Sequence, residues 1–172
     1  RRVLQLAPFD EVAYDKLAKL YTGIGNFEEL VYIDRKRIAD VPNDRKAHVW
    51  LADALVQLNK TDEARQTLDR FIKELEALPD KHTEYVQACA LMSQIILNDN
   101  FTKDKTEALK HLNKAVDYAP ESVEALAHRA RFYSQAPNIS GMSQKDMLTF
   151  ARKELEAADE LGTDNPRIRF FL

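Results

Sequence analysis

The sequence predicts an all-α fold in which antiparallel helix pairs follow one another along the chain. Apolar residues recur at helical spacing, and no alternating run of strand length appears. The chain has only 4 glycines among its 172 residues, too few for a hairpin-rich β fold or a Rossmann sheet. With Pro137 set aside, the prolines divide the pattern at intervals of 34, 37, 41 and 46 residues, at Pro8, Pro42, Pro79, Pro120 and Pro166.

Each interval between these prolines contains one or two apolar stripes. In chain order the stripes are Val12, Leu17, Leu20 and Tyr21; Val49, Leu51, Leu55 and Leu58; Leu68, Ile72 and Leu75; Leu109, Leu112 and Val116; and Leu126, Ala130 and Tyr133. Polar or glycine-containing breaks at residues 23–26, 59–62, 98–100 and 134–143 separate paired stripes. Asp or Asn follows most of the prolines or precedes Pro166, as expected where one helix ends and the next is capped.

With these residues the chain resembles the tetratricopeptide-repeat family, whose motif places a small residue between large ones on each helix of a pair. The first helices match at Tyr14-x2-Leu17-Ala18-x2-Tyr21, His48-x2-Leu51-Ala52-x2-Leu55, Tyr85-x2-Ala88-Cys89-x2-Met92 and Leu126-x2-Arg129-Ala130-x2-Tyr133. The second helices match at Ala64-x3-Leu68, Ala108-x3-Leu112 and Ala151-x3-Leu155. We expect the small residues to lie where two helices approach closely.

The resemblance implies a right-handed superhelical solenoid of about four repeats, at residues 11–44, 45–81, 82–122 and 123–165. Partial repeats are expected at 1–10 and 166–172, as in a piece cut from a longer array. Extra residues at 98–105 and 136–147 are expected as loops on one edge of the solenoid, most simply as tolerated loop growth. Three residues depart from the motif. Asp34 and Arg37 replace the large and the small apolar residue expected in the first repeat, and Asp34 should be partly exposed or paired with a nearby arginine. Arg129 replaces a leucine in the fourth repeat, and it should pack its stem and extend its charged end into solvent.

The family binds its partners on the concave surface lined by the first helices. This resemblance implies a groove for an extended peptide or a helix of another protein. Trp50 is the favoured anchor, because tryptophan is enriched at interface hot spots, although a purely structural role for its ring remains open. The predicted groove residues are Asp15, Lys16, Lys19, Lys46, Val49, Trp50, Asp53, Val86, Gln87, Glu124, His128 and Arg131. The clamp with which one subgroup holds acidic chaperone tails is absent, since its lysine and asparagine positions hold Asp15 and Lys19.

A catalytic role finds no support in the residue pattern, so no enzyme activity, cofactor or metal site is predicted. The four histidines lack metal-ligand spacing, and His48 is expected as a packed ring. Cys89 occupies a small-residue position and is expected as a buried thiol. The glycine-containing segment at 23–26 lacks the lysine of a phosphate-binding loop and is expected as a turn.

Charge and hydropathy limit the possible partners further. A net charge of −3 argues against nucleic-acid binding, and no apolar run is long enough to span a membrane. The sequence lacks an initial Met and a signal segment, so a cytoplasmic location is only a default expectation. Two alternatives to a peptide-binding scaffold stay open: a regulatory or substrate-recruiting arm of a larger enzyme, and self-association through open repeat ends.

Overall fold

The all-α prediction is confirmed by the structure, a computed structural model that describes residues 10–80, 82–99, 105–136, 139 and 141–161. Within these ranges the chain forms helices and no strand. In order they are α1 (Glu11–Gly23), α2 (Phe27–Asp40), α3 (Lys46–Gln57), α4 (Thr61–Glu76), α5 (Thr83–Asn98), α6 (Thr106–Tyr118), α7 (Val123–Gln135) and α8 (Gln144–Glu160). The chain divides into two compact units between Glu76 and Ala77.

In the N-terminal unit, each of helices α1 to α4 packs on the next along the chain. Tyr14 and Ile33 are fully buried between α1 and α2, while Leu55 and Leu68 are fully buried on α3 and α4. The His48 ring stacks on Phe71 with centroids 4.4 Å apart, which confirms the packed ring predicted for His48. Burial of these apolar side chains is the main source of stability for helices of this length.

In the C-terminal unit, α5 packs on α6, α6 on α7 and α7 on α8. Helix α5 also contacts α7, so that two first helices of the predicted repeats lie side by side. Cys89 is fully buried, as predicted, and Tyr85 stacks on Tyr118 with ring centroids 4.2 Å apart. Lys105 is also buried, and its ammonium group donates to the backbone oxygens of Ile96 and Asp99 at the end of α5.

The small residues of the motif are buried where helices meet, which confirms their predicted role. Their exposed fractions do not exceed 6%, at Ala18, Ala52, Cys89 and Ala130 on the first helices and Ala64, Ala108 and Ala151 on the second. A larger side chain at any of these positions would force the helix axes apart.

Local signals set the helix ends. The side chains of Asp10, Asn26, Ser122 and Ser143 each accept a hydrogen bond from a backbone N–H in the first turn of the following helix. The predicted turn at residues 23–26 is confirmed, and Gly25 adopts a φ of 69° there, a conformation that glycine tolerates best. The partial repeats at the chain ends, together with most of the first predicted loop and part of the second, lie outside the described residues. The repeat boundaries stay predictions.

Candidate functional site

The predicted groove residues lie on α1 and α3 of the N-terminal unit and on α5 and α7 of the C-terminal unit. Most present some surface to solvent. Exposed or partly exposed are Asp15, Lys16, Lys19, Lys46, Val49, Trp50, Asp53, Gln87, Glu124, His128 and Arg131. Val86 differs from the expectation, because it is only 2% exposed and belongs to the core of its unit. The repeat motif correctly predicted that Val86 lies on a first helix. It did not predict how that helix is rotated about its axis, which decides whether Val86 faces the core or the solvent.

In the C-terminal unit, α5 and α7 border a solvent-open cleft of about 420 Å³. His128 and Arg131, both predicted from the sequence, lie on its α7 side. The part of the lining that the structure describes carries several amide groups and no carboxylate. It consists of Ala90, Ser93, Gln94, Leu97, Asn98, Leu112, His128, Arg131, Phe132 and Gln135.

Charged side chains at the edge of this cleft are partly paired with each other. His128 lies 3.9 Å from the carboxylate of Glu124, measured from Nε2 to Oε1. Interaction with His128 is the largest cause that lowers the pKa of Glu124, and the amide of Gln87 on α5 lowers it further, against the opposing effect of burial. Arg131 is exposed and donates through Nε to Gln135 at 3.3 Å. The guanidinium of Arg131 therefore keeps its charge available to a ligand.

In the N-terminal unit, a buried arginine joins α1, α2 and α3. Arg37 is 1% exposed and donates through Nε to Asp44 at 2.6 Å and through Nη1 to Asp15 at 2.8 Å. Its Nη2 also donates to Asp44, so Oδ2 of that carboxylate accepts two charge-assisted hydrogen bonds. Burial acts to lower the pKa of Arg37, but these hydrogen bonds outweigh it and raise the pKa. The guanidinium therefore remains charged inside the unit.

Two aromatic rings complete this arrangement, which we call the Arg37 cluster: Tyr14, Asp15, Asp34, Arg37, Asp44 and Trp50. The guanidinium carbon of Arg37 lies 5.0 Å from the centre of the Trp50 ring and 5.8 Å from that of Tyr14, within the range of cation–π attraction. Trp50 is thus partly buried against Arg37, while part of its surface remains open. Sequence reasoning singled out Trp50 but missed Arg37 as its neighbour.

Asp34 contradicts what the sequence led us to expect. It is fully buried, and neither carboxylate oxygen has a hydrogen-bond partner among the described residues. Burial is the largest cause that raises the pKa of Asp34, to about 7; Arg37 opposes the shift and Asp44 adds to it. Arg37 therefore acts on Asp34 only through its charge, because its donors are directed to Asp15 and Asp44.

The expectation for Arg129 was also wrong. Its charged end does not extend into solvent but donates to Glu154 on α8 at 2.7 Å and to Asn113 on α6 at 3.1 Å. The side chains of Arg129 and Glu154 are 17% and 15% exposed. This ion pair joins α7 to α8 within the C-terminal unit.

The second predicted repeat corresponds to α3 and α4, and a family model described as tetratricopeptide repeat matches residues 46–74 in this pair. This segment is similar to a tetratricopeptide repeat. The predicted resemblance is confirmed, and the matched segment includes Trp50, Leu51, Ala52 and Ala64. Tetratricopeptide repeats are generally non-catalytic and serve as scaffolds that bind other proteins or peptides.

No curated protein matches the chain. Among solved structures, one match is titled "Crystal structure of YrrB: a TPR protein with an unusual peptide-binding site". It is 12% identical and covers 98% of this chain and 95% of that one, with a TM-score of 0.38. A TM-score this low carries no argument about the present site.

The described residues show neither a metal site nor a membrane-spanning helix. They contain no group of three or more His, Cys, Asp or Glu side chains placed to hold a metal ion. Among the helices described, none has both the length and the apolar character needed to cross a membrane. The cleft between α5 and α7 and the exposed part of Trp50 both contain residues predicted from the sequence.

Proposed function

We propose that this tetratricopeptide-repeat segment binds an extended peptide of another protein in the cleft between α5 and α7. The observation that supports this most is the composition of the cleft. Side chains from two first helices converge there, and the lining combines apolar groups with amides and the exposed Arg131. Pockets that bind ligands commonly place a few polar groups on such an apolar surface.

The chemistry of the lining favours an acidic peptide. Arg131 and His128 are the ionisable side chains among the described residues of the lining, and these residues include no Asp or Glu. A carboxylate of the peptide would accept a charge-assisted hydrogen bond from Arg131. The amides of Gln94 and Gln135 each offer a donor and an acceptor, which suits the peptide groups of an extended chain. Glu124, next to the cleft, would disfavour a second acidic residue near His128.

The test begins with a phage-displayed random peptide library selected on the purified chain. Enriched sequences are synthesised with a fluorescent label and titrated by anisotropy. We expect acidic peptides to be enriched and the charge reversal Arg131→Glu to weaken their binding by about tenfold or more, which corresponds to about 1.4 kcal/mol. Binding should also weaken as salt is added.

The matched control is Lys145→Glu, because Lys145 is exposed on α8 and does not line the cleft. This variant has the same change in net charge, so it separates a local contact from a general electrostatic effect. We expect less than a twofold change in affinity for it. Equal weakening by Arg131→Glu and Lys145→Glu, or enrichment of peptides without acidic residues, would contradict the proposed site.

Trp50 offers a separate test in the N-terminal unit. If its exposed part is a peptide anchor, Trp50→Ala should reduce affinity for a selected peptide while circular dichroism shows an unchanged helix content. Val56→Ala on the same helix is the control, since Val56 is also partly exposed but is not a predicted groove residue and provides far less contact area. An unchanged affinity in Trp50→Ala would remove Trp50 from the binding surface.

Self-association is a second candidate, supported by apolar side chains on α8. Leu148 is 52% exposed and Phe150 is 39% exposed, and surfaces of this kind often mark contacts. Sedimentation over a wide concentration range, with Leu148→Glu as the variant, tests this function. A monomer at all concentrations would exclude it.

A further inference from the structure

The buried carboxyl of Asp34 has a single cation close to it within the Arg37 cluster. Asp34 and Arg37 are three residues apart on α2 and thus share a helix face. Asp34 is fully buried, and no described residue forms a hydrogen bond with its carboxyl oxygens. A charged carboxylate in such a place is strongly disfavoured unless a cation turns toward it.

The other titratable groups near Asp34 either form hydrogen bonds with other residues or carry negative charge. From α1, Asp15 accepts from Arg37 and Tyr14 donates to Asp40, which also accepts from Lys36. The turn before α3 contributes Asp44, also bound to Arg37.

From α3, His48 interacts electrostatically with Asp44 of the cluster, and its ring stacks on Phe71. Burial is the largest cause that lowers the pKa of His48, so its imidazole is neutral near pH 7. When Asp34 loses its proton, Arg37 is therefore the group able to compensate the new charge.

We propose that the proton on Asp34 controls the stacking of Arg37 on Trp50. With Asp34 protonated, the guanidinium stays bound to Asp15 and Asp44 and covers one part of the Trp50 ring. With Asp34 charged, the guanidinium turns toward it, its contacts to Asp44 weaken, and the Trp50 ring loses its cation. The surface that α3 presents then differs between the two states, and this last step rests on the proposed role of Trp50 in binding.

The pKa of Asp34 supports a change of its protonation state near neutral pH. The pKa of Asp34 is raised to about 7, chiefly by burial. The protonated state thus dominates below neutral pH and the charged state above it. Arg37 can approach Asp34 without a movement of the backbone, because the two side chains are three residues apart on the same face of α2.

Trp50 is the only tryptophan of the chain, so its fluorescence reports on this contact without a ligand. The experiment records tryptophan emission between about pH 5 and pH 9 at constant ionic strength. We expect a one-proton transition with a midpoint near pH 7 in the wild-type chain. Asp34→Asn keeps the shape of the protonated carboxyl but cannot ionise, so the transition should be lost. His48→Gln, two residues from Trp50, should retain it.

Two results would overturn the proposal. One is a wild-type emission that does not change across this range. The other is a transition that persists in Asp34→Asn and disappears in His48→Gln, which would assign the proton to the histidine. If Asp34→Asn does not fold, carbon NMR of the wild-type chain with labelled aspartate carboxyls replaces it, and all carboxyls titrating below pH 5 would refute the proposal.

The fluorescence result is independent of any peptide. A normal pH transition together with a failure of Trp50→Ala to affect binding would retain the switch and reject its connection with the proposed function. Conversely, peptide binding that depends on Trp50 but shows the same affinity at pH 6 and pH 8 would reject the regulatory step alone.

Discussion

The ionisation of Asp34 should make the stability of the chain depend on pH in a way that one substitution removes. Asp34 is fully buried and forms no hydrogen bond within the part of the chain that the structure describes, whereas in the unfolded chain its carboxyl is hydrated. Asp34→Asn replaces the carboxyl by a neutral group of nearly equal shape. The expected result is an increase in the free energy of unfolding that is small at acidic pH and large at alkaline pH.

The magnitude follows from the pKa of Asp34, which rises from 3.8 to about 7 on folding. Since the folded chain holds this proton more tightly, stability falls as pH increases from about 4 to about 7 and stays low above that. The complete loss is about 4 kcal/mol, at about 1.4 kcal/mol for each pH unit between the two values. At pH 5 only about 2 kcal/mol of it has been lost. The advantage of Asp34→Asn should thus grow by about 2–3 kcal/mol between pH 5 and pH 8.5.

The assay is urea unfolding followed by circular dichroism at several pH values. Comparing the variant with the wild-type chain at each pH cancels the titration of all other groups that do not contact Asp34. The control is Asp69→Asn, because Asp69 is an exposed carboxylate paired with Lys73 on α4 and contributes little to stability. If the difference between wild type and Asp34→Asn is constant from pH 5 to pH 8.5, the carboxyl is already ionised or hydrated in the folded chain, and the reasoning fails.

Three further substitutions test the packing and the helix ends, each by the change in the free energy of unfolding in urea. Leu68→Ala should cost about 2–5 kcal/mol, because Leu68 is fully buried on α4 and its truncation leaves a cavity; a cost below about 1 kcal/mol would show that the interior is loosely packed. Ser143→Ala should cost about 1 kcal/mol, since it removes the reciprocal cap of α8, and Ser134→Ala outside that cap should serve as a near-neutral control. Lys105→Met should cost about 1–3 kcal/mol by leaving two carbonyls of the α5 end without their donor; an unchanged stability would mean that water replaces the ammonium group.

The helical fold could be predicted because its signals are local. Apolar spacing, proline positions and capping side chains act over one or two helical turns, and they predicted the helix pairs and the turn that contains Gly25. The small residues, such as Ala52 and Cys89, could be placed because the family motif assigns them to close helix contacts. The packing of the His48 ring could be predicted from the same motif, since its position normally carries a packed ring.

The candidate site could be predicted only in part. His128 and Arg131 line the cleft on α7, but Val86 is buried, because a small rotation of α5 decides which side chains reach its surface. The ion pair of Arg129 with Glu154 joins residues 25 positions apart. No spacing rule connects such residues, so their contact cannot be inferred from either one alone.

The sequence by itself determined that this chain is a series of helix pairs with small residues at their contacts, since each signal lies within a few residues of the structure it specifies. The tertiary structure alone decided the environment of Asp34. A carboxyl at a position expected to be apolar was visible in the sequence, but its burial beside Arg37, and the stacking of Arg37 on Trp50, depend on how α1, α2 and α3 pack. Solvent exclusion and charge proximity are properties of that packing, and they make Asp34 the proposed control of the Trp50 surface.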